Sequence, residues 1–280
     1  MKILIIGGNS ALALSLINLL KLKHSIITAG RKNCDITIDL NNEIKIDKFP
    51  KNIDTVIHIA ASFGGTTYTD FEDAININVL GTLKACQLSQ TLNAKQFILI
   101  SSMSSCLTIK SPYYTSYALT KRQSEEIASL YFKNSNTNLT ILRPSQIYGN
   151  SIVFSKHQPF FYHILNKAKN GEDVLIYGKN DALRNYIYVD DLNQIISHTI
   201  NKKISGVFYC GSMEDVTYSA IAKIAFKEYS KNGKVRFLND KENIPDNIFE
   251  KDNTLYEKIN FYPEITIEKG IKLIIMQGKL

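Results

Sequence analysis

Cysteine is sparse in this chain, and its arrangement excludes the simplest structural uses. The 280 residues hold four, Cys34, Cys86, Cys106 and Cys210, far apart and without a C-x-x-C pair. That pattern argues against a disulfide framework or a zinc knuckle and predicts a reduced protein with no metal site. No apolar run approaches the roughly 20 residues needed to span a bilayer, so no membrane insertion is expected. The first apolar run starts at residue 2, leaving no room for a signal peptide, and a cytoplasmic location is expected. Arginine is scarce too: there are five, and the net charge of +7 rests mainly on scattered lysines. Without a basic stripe or interleaved aromatics, nucleic acid is not expected as a partner. Internal repeats and low-complexity linkers are also missing.

What is present is a globular composition, 44% hydrophobic, sufficient to bury an α/β core. Apolar runs at residues 3–6, 25–28, 35–38, 55–59, 97–101 and 139–142 read as strands. Helical stretches near 11–22, 70–92 and 116–132 lie between them. The alternation predicts a parallel sheet with helices on both faces and ligands at the strands' carboxyl ends. After residue 149 it fades into an amphipathic stretch at 160–168, a strand at 174–177 and helices at 189–200 and 218–229.

Lys2-Ile3-Leu4-Ile5-Ile6 runs into Gly7-Gly8-Asn9-Ser10-Ala11-Leu12-Ala13 and then a helical pattern. Strand, glycine turn and helix in that order form a phosphate cradle, because N–H groups at a helix start face the anion. Gly7, Ser10 and Ala13 occupy the glycine positions of a G-x-x-G-x-x-G loop; Ser10 and Ala13 depart from glycine but remain small.

A second group is Ser102, Tyr117 and Lys121. Ser102 closes the apolar run 97–101 and is delivered at a strand's carboxyl end. Tyr117 and Lys121 sit one helical turn apart. With 15 tyrosines and many lysines the spacing alone arises by chance, so its weight comes from the surrounding motifs. A phenol of ordinary acidity is a poor catalyst near neutrality; a neighbouring ammonium would lower its pKa, and a serine hydroxyl could hold the oxygen exchanging the proton. These are the parts needed to move a proton while a hydride moves elsewhere.

The motifs run in order: the loop 7–13, Val56-Ile57-His58-Ile59-Ala60-Ala61, Asn78-Val79-Leu80-Gly81-Thr82, Ser102, Tyr117 and Lys121. They continue with Leu142-Arg143-Pro144-Ser145-Gln146-Ile147-Tyr148-Gly149 and Arg184-Asn185-Tyr186-Ile187-Tyr188-Val189-Asp190-Asp191-Leu192. As an ordered set they resemble the extended short-chain dehydrogenases/reductases of the NAD-dependent epimerase/dehydratase group, which act on sugar nucleotides. The resemblance implies an α/β, Rossmann-type doubly wound domain over 1–150 and a smaller substrate-binding lobe over 151–280. Part of 185–210 would return to the sheet.

It also implies site residues. Gly7, Asn9, Ser10, Ala11 and Leu12 would hold the dinucleotide phosphates and Asp39 and Leu40 the adenine end, with Ala60, Ala61, Pro144, Tyr117 and Lys121 along the rest. Ser102, Tyr117 and Lys121 would be catalytic, Lys121 also reaching the nicotinamide ribose. Gln146, Tyr177 and Arg184, with Ser102, would bind substrate, Arg184 at the diphosphate and Tyr177 on the base. The second strand runs into Arg31 and Lys32 where relatives carry an acid, so NADP(H) is expected over NAD(H), with NAD(H) as the alternative.

Dehydratases of the group place Asp-Glu after the active-site hydroxyl; here Met103-Ser104 follow, and Cys106 lies two residues beyond the cysteine used by some epimerising relatives. Reduction of a 4-keto sugar nucleotide is therefore expected, in a setting such as polysaccharide biosynthesis. C4 epimerisation with retained cofactor and a non-catalytic dinucleotide-binding protein are the alternatives. A homodimer through the helix carrying Tyr117 and the one before it is implied as well.

Overall fold

A computed structural model describes residues 1–278, which fall into two compact units. The first comprises residues 1–144, 193–210 and 252–261; the second comprises 145–192, 211–251 and the stretch from Tyr262.

From the N-terminus, β1 (Lys2–Ile6), α1 (Ala11–Leu20), β2 (Ser25–Gly30), β3 (Ile36–Thr37) and β4 (Thr55–His58) come first. Then α2 (Tyr68–Ala74), α3 (Gly81–Thr91), β5 (Gln96–Ile100), α4 (Ser116–Phe132) and β6 (Asn138–Pro144) continue the alternation. Short elements follow: β7 (Gln146–Tyr148), α5 (Ile152–His157), α6 (Pro159–Asn170), β8 (Val174–Tyr177), β9 (Leu183–Arg184) and β10 (Tyr186–Tyr188). The chain ends with α7 (Val189–Lys202), β11 (Gly206–Cys210), β12 (Val216–Thr217), α8 (Tyr218–Glu228), β13 (Val235–Leu238), α9 (Thr254–Ile259) and α10 (Ile267–Met276).

The first unit carries a seven-stranded sheet in the order β11-β6-β5-β4-β1-β2-β3, with every neighbouring pair parallel. It is a Rossmann-type doubly wound fold. Strand order reverses between β1 and β4, and in such sheets the crevice beyond the carboxyl ends at that point is where ligands bind. The central strands are mostly apolar because both faces are covered: Ile3, Leu4, Ile5, Val56, Ile57, Phe97, Ile98 and Leu99 are fully buried. Each such side chain contributes about 1.5–3 kcal/mol. Of residues 185–210, the five at 206–210 join this sheet.

The stretch read as helical over 70–92 is helical, with a π-helical segment at Ile75–Leu80 between α2 and α3. Asn78 explains this segment: its Oδ1 accepts from Ser62 N, and its Nδ2 donates to Ser62 O and Thr120 Oγ1, all at 2.8–2.9 Å. Its carbonyl takes the Thr82 and Ser124 hydroxyls at 2.6 Å, so polar contacts outside the helix replace the regular ladder.

The second unit has three two-stranded sheets, β10-β7, β12-β9 and β13-β8. Tyr148 of β7, Tyr186 and Tyr188 of β10 and Phe161 of α6 form an aromatic cluster, with contacting ring centroids 5.0–5.9 Å apart.

Candidate active site

β1 delivers Gly7 with φ +91°, and a Cβ there would lie 2.6 Å from the Ala60 nitrogen. Only glycine fits this left-handed turn against the loop that follows β4. The N–H groups of Gly7 and Gly8 donate to the Ala29 carbonyl at 2.8 and 3.2 Å, while Ala60 N donates to Ile6 O at 3.1 Å. Ser10 caps α1, its hydroxyl accepting from Ala13 N at 3.2 Å, which accounts for serine at a position where the loop pattern has glycine. The first N–H groups of α1, including those of Ala11 and Leu12, have no intrahelical acceptor. Beside Asn9 and at the strand-order reversal, this turn fits the phosphates of a dinucleotide.

β2 ends at Gly30, and Arg31 and Lys32 beyond it are exposed. Asp35 lies near by, but its carboxylate accepts from Thr28 N (2.8 Å) and Thr28 Oγ1 (2.7 Å), bonds that lower its pKa. Asp39 accepts from Asn41 N, and Leu40 is buried. Lys84 of α3, which no spacing singled out, donates to the Leu40 and Asn42 carbonyls at 2.5 and 3.0 Å and clamps this loop.

Ser102 follows β5 by two residues, and Tyr117 and Lys121 lie on α4. Ser102 has extended backbone; its Oγ accepts from Ser104 N at 3.1 Å, and it lies near enough to Tyr117 to act on the acidity of the phenol. Tyr117 sits in the first turn of α4 behind the Thr115 cap and stacks on Phe63, with centroids 5.0 Å apart. Lys121, 2% exposed, donates its Nζ to the Ile100 carbonyl at 2.7 Å. Burial brings Lys121 down to about 8, against an opposing pull from Glu125. His58, at the end of β4, is 1% exposed, and burial followed by the Lys121 charge brings it to about 3, so it is neutral. Neither of its ring nitrogens has a partner among the described residues.

The acidity of Tyr117 differs from expectation. Desolvation pushes the phenol up to about 12, and the Ser102 side chain acts only partly against it. With the Lys121 ammonium turned to a backbone carbonyl, burial wins and the phenol is raised rather than lowered. At neutral pH Tyr117 therefore carries its proton.

Pro144 ends β6 beside Cys210 of β11, and Cys106 is exposed. Glu125, Arg122 and Arg143, which surround the chain segment carrying Ser102, were not anticipated. The sole signal was the position of Glu125, one turn beyond Lys121, which reads equally as a solvated helix face.

In the second unit, Gln146 lies on β7, its N–H donating to Asn185 O at 3.2 Å and its Oε1 buried without a partner among the described residues. Tyr177 is exposed at the end of β8. Arg184 is 3% exposed: Nε donates to Tyr218 Oη (2.8 Å), Nη1 to Leu183 O (2.7 Å) and Pro245 O (2.9 Å), and the Tyr218 ring lies 4.7 Å from the guanidinium carbon. The guanidinium expected at a diphosphate is thus engaged by the protein's own acceptors. Among the described residues no group of three or more His, Cys, Asp or Glu is placed to hold a metal ion, and no helix is long and apolar enough to cross a membrane.

Known proteins are similar to this chain in sequence and in fold. A UDP-N-acetyl-alpha-D-glucosaminuronate decarboxylase of Bacillus cytotoxicus is 23% identical over 85% of this chain and 80% of its own length. A putative UDP-glucose 4-epimerase of Methanocaldococcus jannaschii is 22% identical over 85% of this chain and 79% of its own. The solved UDP-glucuronic acid 4-epimerase from Bacillus cereus in complex with NAD superposes with a TM-score of 0.79 at 20% identity, covering 99% of each chain. The family model for the NAD dependent epimerase/dehydratase family matches residues 3–211, from β1 through β11. With that match on a parallel sheet carrying the glycine turn and the Ser102, Tyr117 and Lys121 group, the chain belongs to the NAD dependent epimerase/dehydratase family.

Proposed function

We propose that the protein reduces a 4-keto sugar nucleotide, with Tyr117 as the proton donor. The observation that carries this reading is the placement of Tyr117 in the first turn of α4, one turn from buried Lys121, whose Nζ holds the Ile100 carbonyl at 2.7 Å two residues before Ser102. A donor must hold its proton before the reacting oxygen arrives, and this phenol does. Ser102 orients the carbonyl oxygen, Tyr117 protonates it, and Lys121 offsets the charge left on the phenolate. When bound, a nicotinamide dinucleotide supplies the hydride to the carbonyl carbon. The glycine turn with Asn9, Ser10, Ala11 and Leu12 holds its phosphates, Asp39 and Leu40 its adenine end, and Ala60, Ala61 and Pro144 its remaining length. Met103 and Ser104 after Ser102 provide no acid–base pair for eliminating water. Gln146 and Arg184 serve the nucleotide diphosphate and Tyr177 the base, roles resting on the family resemblance. Arg31 favours a 2′-phosphate, whereas the Bacillus cereus neighbour was solved in complex with NAD.

C4 epimerisation is the second reading, favoured by the relatives and neighbours named as 4-epimerases. It uses the same residues and keeps the dinucleotide. Incubating purified protein with a 4-keto sugar nucleotide and reduced dinucleotide separates the two. Stoichiometric consumption supports reduction; interconversion of UDP-hexoses without consumption, by protein purified with its dinucleotide, would replace it with epimerisation. Inertness toward both would favour a binding protein. Exposed Tyr68, Phe71, Leu80, Leu83 and Leu130 on and near α2–α4 support a homodimer, which sedimentation would report.

A further inference from the structure

Beyond Tyr117, three charged residues of α4 turn onto the chain segment that carries Ser102. Lys121 holds the Ile100 carbonyl at 2.7 Å. Arg122 donates from Nε to Ser105 O at 2.9 Å and from Nη2 to Leu107 O. Glu125, buried, accepts the hydroxyl protons of Ser101 and, at 2.7 Å, Ser105. The Ser105 hydroxyl also lies 2.8 Å from Ser102 O, but it has one proton, and the charged acceptor takes it. Arg143 of β6 closes the network on the carboxylate, with Nε at 3.1 and 3.2 Å and Nη2 at 2.6 Å. A buried carboxylate is tolerable only when paired and hydrogen-bonded, and this one is both. The turn Met103–Cys106, which follows Ser102, is therefore held by the Glu125 carboxylate together with the Arg122 guanidinium.

We infer that Glu125 is a positioning residue: it anchors the 101–106 turn so that the Ser102 hydroxyl meets Tyr117, and it supplies the negative charge nearest Lys121. This rests on the reading of Ser102, Tyr117 and Lys121 as the reacting group. The charge arrangement is well defined. Lys121 is faced by neutral His58 from β4 and by Tyr117 and Glu125 from its own helix. Glu125 is faced by Arg143 from β6 and by Ser101 and Ser105 from the segment after β5, while Cys106 of the turn lies in the field of Arg143. Removing the Glu125 charge takes away the opposite charge that acts on Lys121.

Two variants separate the two parts of the role. Glu125→Gln keeps the length and removes the charge; Glu125→Asp keeps the charge and shortens the arm. Each is first checked by thermal melting. The ionisation of Lys121 is then followed by its ¹³Cε chemical shift against pH, assigned through loss of the signal in Lys121→Met. Glu125→Gln is expected to lower the Lys121 midpoint by about one pH unit, as expected when a neighbouring opposite charge is lost. Glu125→Asp is expected to leave it nearly unmoved. Both are expected to lower kcat on a keto sugar nucleotide by roughly 10- to 100-fold, the scale of a misplaced reacting group, with KM changed less. The alkaline limb of the kcat–pH profile is expected to move to lower pH in Glu125→Gln alone. An unmoved Lys121 midpoint in Glu125→Gln would overturn the electrostatic part, and near wild-type kcat in both variants the positioning part. Wild-type protein inert toward every keto sugar nucleotide would sink the functional reading instead, while the Lys121 titration would still decide the electrostatic part of this inference. If Glu125→Gln does not fold, the Glu125→Asp rate decides the positioning part, and the Lys121 titration in Glu125→Met, expected to show the same lowered midpoint, decides the electrostatic part.

Discussion

Lys121→Met is expected to make the protein more stable at neutral pH. Lysine ordinarily titrates at 10.5, and burial brings Lys121 down to about 8 in the fold. Below about pH 8 the folded state holds a charged group that it solvates poorly; the difference corresponds to roughly 3 kcal/mol of destabilisation. Methionine fills similar space without that cost, but it forfeits the hydrogen bond to the Ile100 carbonyl, worth about 1 kcal/mol. The net gain at pH 7 is roughly 2 kcal/mol, or about 4–8 °C in Tm for a chain of this size. The sign then depends on pH. Between about 8 and 10.5 the unfolded chain binds the proton that the folded one has lost, so wild-type stability rises with pH relative to the variant. Above that window the wild type is expected to lead by about the one hydrogen bond. Urea denaturation of both proteins at pH 7, 9 and 10.5 gives the comparison. A variant less stable than wild type at pH 7, or a difference that does not change with pH, would refute the reasoning.

Two further outcomes follow from the roles proposed for Arg184 and Arg31. Arg184→Ala is expected to raise KM for the sugar nucleotide more than it lowers kcat, because a diphosphate is present in ground and transition states alike. It should also cost roughly 1–3 kcal/mol in denaturation, because the Pro245 carbonyl and the Tyr218 hydroxyl lose their buried partner; unchanged KM with collapsed kcat would end the diphosphate role. Arg31→Ala is expected to weaken NADP(H) by roughly 10- to 100-fold and leave NAD(H) nearly unchanged, as loss of one charge-assisted pair implies. Fluorescence titration measures both, and equal wild-type affinities for the two dinucleotides would remove the preference.

The parts of this fold that sequence reveals are those set by local periodicity. β1, the glycine turn and α1 were readable because an apolar run, a left-handed glycine and a capping serine are all near neighbours in the chain. Ser102, Tyr117 and Lys121 were readable for the same reason, each placed by the end of a strand or one helical turn. What escaped depends on partners far along the chain. The π-helical turn exists because Asn78 finds Ser62, 16 residues away, and Thr120, 42 away. The Glu125 carboxylate is buried only because Ser101 and Arg143 converge on it. The raised phenol reflects desolvation, a property of the packed protein that no spacing encodes. Arg184 matched its motif in sequence, yet its guanidinium is occupied by Tyr218 and Pro245, brought together by the short sheets of the second unit.

Proton donation by Tyr117 during ketone reduction is the central claim, and Tyr117→Phe tests it most directly. The measurement is the rate of reduced-dinucleotide oxidation with a 4-keto sugar nucleotide, wild type against variant, at pH 7. A loss of roughly 100- to 10,000-fold is expected, with dinucleotide affinity retained because the ring and Lys121 remain. Turnover within a few-fold of wild type would contradict the account.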